Sequence, residues 1–156
     1  MAKYEVVNGV GIIPEGVTEI GWAAFADCTS LTSVVIPSSV TKIGNEAFSG
    51  CTSLTSIEIP EGVTAIGYRV FQNCTSLTSV VIPSSVTKIG DKAFRGCTSL
   101  KSIEFPQSLT VIDYEAFKDC SSLTSVVIPS SVTEISGTTF EGCSSLTSIV
   151  VEEGNS

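Results

Sequence analysis

The chain has 156 residues, of which 42% are hydrophobic and 15% charged, with a net charge of −8 and no histidine. It is too apolar for a disordered segment, and its negative balance argues against nucleic acid and anionic membrane, both of which need a basic stripe. No apolar run approaches the roughly 18 residues that a membrane-spanning helix needs.

The chain opens on Met1-Ala2-Lys3-Tyr4-Glu5, which lacks the basic and apolar regions of a signal peptide. This fits either a cytoplasmic chain or a mature fragment. Tyr4-Glu5-Val6-Val7 and Val10-Gly11-Ile12-Ile13 then flank Asn8-Gly9, a strong hairpin-turn signal. Residues 1–13 are expected to form a hairpin-like cap at the N-terminal end of the domain.

From there the chain is a repeat. Pro14, Phe25, Cys28 and Leu31 each recur every 23 residues, ending at Pro129, Phe140, Cys143 and Leu146. A period of this length, held in one register, is the signature of a solenoid. We read residues 1–156 as one repeat domain of six 23-residue coils.

The coil from Leu31 to Ser53 shows the expected elements in order. Val34 and Ile36 alternate with Ser33 and Val35, so they form a short strand with its apolar face inward. Pro37-Ser38-Ser39 is a turn. Val40 and Ile43 face inward again on a second extended segment, and Gly44 permits a tight corner. Glu46-Ala47-Phe48 reads as a single helical turn. The position after the next residue holds Asp27, Gly50, Asn73, Gly96, Asp119 and Gly142 in the six coils. Gly, Asn and Asp are the residues that tolerate left-handed backbone angles, so a positive φ is expected there. No coil can bury its own apolar face. Stacking at about 4.8 Å, the strand spacing of a sheet, closes one continuous core.

Successive coils alternate in type. Val-Val-Ile-Pro-Ser-Ser-Val at 34–40, 80–86 and 126–132 alternates with Ile-Glu-Ile-Pro-Glu-Gly-Val at 57–63 and Ile-Glu-Phe-Pro-Gln-Ser-Leu at 103–109. At the C-terminus, residues 147–156 read as a partial seventh coil with no amphipathic helix to cover it. The unpaired strand edge there invites end-to-end association of copies, or marks a fragment of a longer array.

The run Leu-Thr-Ser-Val-Val-Ile-Pro-Ser-Ser-Val-Thr-Lys-Ile-Gly-x-x-Ala-Phe-x-Gly-Cys, at 31–51 and again at 77–97, closely resembles the BspA-like leucine-rich repeat. The resemblance covers nearly the whole chain. It implies a leucine-rich-repeat solenoid, a right-handed α/β-type array with a parallel sheet on one face and short extended segments and helical turns on the other. It further implies an extracellular or cell-surface location and a non-enzymatic module of the kind found in bacterial adhesins that bind host or matrix proteins. Coils this similar also fit a structural or engineered scaffold with no ligand of its own.

The candidate sites come from the alternation. Trp22, Tyr68 and Tyr114 form an aromatic stripe at two-coil spacing, interleaved with Asn45 and Asp91. They either cover the turns or contact a protein or glycan, for which aromatic anchors are suited. The other candidate is the exposed strand column Val35, Glu58, Val81, Glu104 and Val127, beside a column of serines. Glu58 and Glu104 stand roughly 10 Å apart, near the upper limit for an inverting glycosidase pair, but no cleft is expected around them. Cys28, Cys51, Cys74, Cys97, Cys120 and Cys143 occupy one point of each coil and are read as an inward ladder of free thiols. A single file of thiols cannot surround zinc tetrahedrally, and no histidine is present to activate a nucleophile. No cofactor is expected. Asn73-Cys74-Thr75 matches a glycosylation sequon, but its central cysteine is expected to be buried.

Overall fold

A computed structural model describes residues 4–153. The first residues of the cap expected at 1–13 and the last of the partial coil expected at 147–156 lie outside the described residues. Each coil has three sides. The first strand face is built from β2 (Val10–Ile12), β4 (Ser33–Val34), β6 (Ser56–Glu58), β8 (Ser79–Val81), β11 (Ser125–Ile128) and β13 (Ser148–Val151). The second strand face carries β3 (Glu19–Ile20), β5 (Lys42–Ile43), β7 (Ala65–Ile66), β9 (Lys88–Ile89), β10 (Val111–Ile112) and β12 (Glu134–Ile135). The third side is a stack of turns. β1 (Glu5–Val7) pairs antiparallel with β2 through a turn at Asn8 and Gly9, both at positive φ (51° and 82°). Two positive φ values at the centre are what a type I′ hairpin requires.

All other pairings are parallel and join residues 23 apart, as in Ile57↔Val80 and Ile66↔Ile89. This register is set by burial, because a slip by one residue would turn the apolar set outward. Val34, Ile36, Val40 and Ile43 are buried, as their spacing predicts. Along the centre runs a phenylalanine ladder. Phe25, Phe48, Phe71, Phe94 and Phe117 are fully buried, with neighbouring ring centroids 5.1–5.5 Å apart and nearly parallel. Each pair adds about 0.5–1.5 kcal/mol beyond the area it buries. Tyr4 stacks on Phe25 at 5.5 Å, continuing the ladder at its N-terminal end.

The solenoid is as expected, but the helical turns expected at Glu46-Ala47-Phe48 and its equivalents are not helices. The segment is a run of β-turns. Ala47, Ser49 and Cys51 donate backwards to Gly44, Glu46 and Phe48, while Glu46, Phe48 and Gly50 donate across to Tyr68, Val70 and Gln72 of the next coil. A helix would spend every N–H within the segment. Here alternate N–H groups bond the neighbouring coil. Positive φ makes this possible. It occurs at the expected column, from Asp27 (57°) to Gly142 (78°). It also occurs at Ala23, Glu46, Arg69, Lys92 and Glu115 (53–61°), residues that give no sequence sign of it. Both columns are the third position of a turn, where type II geometry needs positive φ. Gly44 opens this turn but has no positive φ. A Cβ there would lie 2.7 Å from the carbonyl carbon of Gly21, so the glycine allows close approach between coils.

The strand ladders are interrupted between coils. β4 pairs with β2 and β6 with β8, leaving β4 and β6 in separate sheets, and β5 and β7 are likewise separated. Serine side chains cross several of the coil boundaries. Ser39, Ser85 and Ser108 hydroxyls donate to Val17, Val63 and Val86 carbonyls of the preceding coil. The equivalent position of the third coil is Gly62, which has no hydroxyl to tie back to the second. Ile43 consequently retains 7% exposure, against 0–1% for Ile20, Ile66 and Ile89.

The positive φ at Glu46 is testable. Replacement by glycine removes about 1 kcal/mol of left-handed strain, partly offset by added chain entropy. Glu46→Gly should therefore leave the thermal midpoint unchanged or raise it by up to a few degrees. Ala47→Gly, one residue along at ordinary φ, should lower it. Equal loss in both variants would contradict the turn assignment.

Candidate functional site on the first strand face

The strand period sets what this face presents. Val34, Ile57, Val80, Ile103 and Val126 point into the core, so Ser33, Val35, Ser56, Glu58, Ser79, Val81, Ser102, Glu104, Ser125 and Val127 point out. Val35 is 78% exposed, and Val81 and Val127 of the same column are exposed as well.

The face is not flat. Where β4 and β6 part, a groove of about 550 Å³ opens, lined by Val35, Ile36, Ser38, Glu58, Pro60 and Glu61 among others. That volume lies in the range of ligand pockets, about 300–1,000 Å³. Residues 102–105 form no strand, and a second groove of about 230 Å³ lies there against β8, with Val81 and Glu104 in its lining. A third, of about 270 Å³, holds Glu104, Val127 and Glu152. A fourth, of about 250 Å³, holds Val10, Val35 and Glu15. The structure thus brings Val35 to Glu58, and Glu104 to both Val81 and Val127. Glu15, Glu61 and Glu152 are additions that sequence reasoning missed. Glu61 stands in the Pro-Glu-Gly of the alternate coil, but only the parting of β4 and β6 shows that a groove opens beside it.

Charge is unevenly spread. Among the described residues, Lys42 and Lys88 lie on the second strand face and Arg69, Lys92, Arg95 and Lys118 on the turn face. Lys88, Arg95 and Lys118 pair there with Asp113, Glu115 and Glu141. Only Lys101 borders the first strand face, against the glutamates of its grooves. A cation approaching the grooves therefore meets little competition.

The aromatic stripe is brought together along one column, because Glu46 donates to the Tyr68 carbonyl and Lys92 to that of Tyr114. Its members are not equivalent. Trp22 is 74% and Tyr114 59% exposed, whereas Tyr68 is half-buried, with the Arg69 guanidinium 4.8 Å and the Lys92 ammonium 6.0 Å from its ring centre. Asn45 packs towards Gly67 of the next coil, and one Asp91 carboxylate oxygen is buried without a hydrogen-bond partner.

The six cysteines are free. Cys51, Cys74, Cys97 and Cys120 are fully buried, and their thiols donate to the phenylalanine carbonyls of the preceding coil at 3.1–3.2 Å. Burial, reinforced by Cys28, pushes the Cys51 thiol up to about 12. Cys74, Cys97 and Cys120 are raised too, again chiefly by burial. A thiol held neutral in an apolar ladder is neither a nucleophile nor a metal ligand. Among the described residues, no cluster of three or more ligating side chains is present, and no helix is long and apolar enough to cross a membrane.

The profile of the BspA type leucine rich repeat region matches this chain in six copies, over residues 11–91 and 64–156. The chain belongs to the BspA-type leucine-rich repeat family. Members of that family are generally non-enzymatic repeat modules. The solenoid is similar to a Treponema pallidum leucine-rich repeat protein, with 33% identity over 96% of this chain and 78% of that one and a TM-score of 0.88. It is similar also to a leucine-rich repeat protein of Bacteroides ovatus, with 31% identity, 85% and 40% coverage and a TM-score of 0.67. A leucine-rich cell surface protein of Faecalibacterium prausnitzii shares 27% identity over 91% of this chain and 59% of its own, with a TM-score of 0.59. No protein of curated function matches the chain.

The thiol ladder yields a measurement at pH 8. Because the raised groups stay protonated until well above their ordinary range, Cys51, Cys74, Cys97 and Cys120 should not react with a disulfide reagent in the native state. Cys28 and Cys143, half-buried at the two ends, should react slowly, and all six should react in denaturant. Fast reaction of four or more native thiols would contradict the inward ladder.

Proposed function

We propose that this chain is a non-enzymatic protein-interaction module of a cell-surface protein, and that its partner lies on the first strand face. The row of grooves carrying Val35, Glu58, Val81, Glu104 and Val127 is the observation that carries this reading. Exposed valines beside single carboxylates offer apolar contact with a charge that fixes orientation. The description of the Faecalibacterium relative as a cell surface protein supports the location. The aromatic stripe is the weaker surface, because Tyr68 is already occupied by Arg69 and Lys92.

Near-identity of the coils at 31–51 and 77–97 favours a second reading, a scaffold without a ligand. One experiment separates the two. The chain is applied to an array of extracellular-matrix proteins and mucins, beside a Val35→Ser, Val81→Ser, Val127→Ser variant. The interaction reading expects binding that the variant loses by at least tenfold with its thermal midpoint within about 2 °C, since exposed substitutions seldom change stability much. Binding that is lost only in a Trp22→Ser, Tyr114→Ser variant would move the site to the stripe. No binding by the parent chain would favour the scaffold.

A separate proposal concerns the C-terminal end. All four residues of β13 are exposed, with Ile149 at 51% and Val151 at 68%, and Ile135 of β12 is at 46%. An unpaired apolar edge of this kind joins copies end to end. The mass measured by light scattering should rise with concentration, and Val151→Lys should restore the monomer. A constant monomer mass in the parent would refute the association.

A further inference from the structure

An interaction module on the first strand face leaves the chemistry of its partner open, and four features of that face narrow it. The first is sign. Glu15, Glu58, Glu61, Glu104 and Glu152 line the grooves, while the described cations other than Lys101 lie on the other two faces. The second is composition, because every groove combines a valine with a glutamate. The third is period. Glu58 and Glu104 occupy the same point two coils apart, about 10 Å along the solenoid axis at the spacing of sheet strands. The fourth is the serine column. The Ser33, Ser56, Ser79, Ser102 and Ser125 side chains are exposed and make no hydrogen bond within the described residues.

We infer that the partner is an extended, basic polyproline-II segment with a cationic side chain at every third residue, lying along the solenoid axis on this face. This rests on the assignment of the partner to the first strand face. A polyproline-II helix rises about 3.1 Å per residue with three residues per turn. Every third side chain therefore points the same way, about 9 Å apart, close to the two-coil period. A β-strand does not match, since its same-side residues recur at about 6.6 Å and 13 Å. An α-helix repeats a face at about 10.5 Å, seven residues on. But its carbonyls are spent internally, so it offers nothing to the free serine hydroxyls. The polyproline-II backbone makes no internal hydrogen bonds, so its carbonyls accept from the serines while its cations reach Glu58 and Glu104. The proline rings pack on Val81 between them and on Val35 and Val127 to either side.

The test uses three fluorescent peptides of equal charge against the whole chain: (Pro-Pro-Lys)4, a register control with lysine at every fourth residue, (Pro-Pro-Pro-Lys)4, and an alanine-rich helix with lysines seven residues apart. Anisotropy at low salt should show (Pro-Pro-Lys)4 binding at least fivefold more tightly than either control and weakening as salt is added. Glu58→Gln and Glu104→Gln should each weaken it about two- to fivefold, the worth of one exposed ion pair. Glu46→Gln and Glu134→Gln, on the other two faces, should not change it. Equal binding of the three peptides, tighter binding of the helix, or the same effect from all four glutamine variants would overturn the inference. If (Pro-Pro-Lys)4 fails to bind while the triple valine variant still abolishes binding to an array protein, the period-three partner is refuted and the surface assignment stands. If the triple variant also binds unchanged, both are refuted.

Discussion

The structure depends on stacking in a single 23-residue register. No coil has enough apolar surface of its own to exclude water, so each buries its residues only against its neighbours. The phenylalanine ladder is the centre of that constraint, since Phe25 through Phe117 are fully buried by the rings above and below them. The cysteine thiols occupy the space beside them and donate to phenylalanine carbonyls one coil back. Hydrogen bonding obeys the same rule. On the turn face, alternate N–H groups are used within the coil and across to the next. Stability is consequently shared between neighbours, and Phe140 and Leu146 of the sixth coil are only partly buried.

Against this uniform core, small departures in the repeat change what the surface presents. Gly62 for serine removes one strap between the second and third coils, and the two strand faces part there while the turn stack holds them together through Glu46, Phe48 and Gly50. The largest groove on the first strand face lies at that parting. The fifth coil departs differently. Phe105 stands where other coils have isoleucine, its ring edge-on to Phe117 at 5.6 Å, and residues 102–105 make no strand. The strap from Ser108 is present, the second strand face stays paired, and the groove there is smaller. Two-coil alternation in the sequence thus becomes relief on one face.

The same stacking sets the state of the ionisable side chains. Burial raises the thiols and keeps them neutral, while the groove glutamates Glu58 and Glu104 face solvent. What the fold offers is a surface with regular spacing, in which side chains recur at multiples of the coil rise.

The sequence by itself determined the period, the buried set and the register, because these are set by apolar spacing and by the inability of a lone coil to exclude water. It also marked the left-handed position at Asp27, Gly50, Asn73, Gly96, Asp119 and Gly142, since only residues tolerant of positive φ stand there. The second left-handed column, at Ala23, Glu46, Arg69, Lys92 and Glu115, was not legible. Nothing in those residue types favours that angle, which is imposed by hydrogen bonds to the next coil. For the same reason a short helix was expected where a turn stack exists. The Val/Glu column was legible as exposed, but its grooves were not, because they arise from how far two coils stand apart. That distance appears only when the coils are stacked.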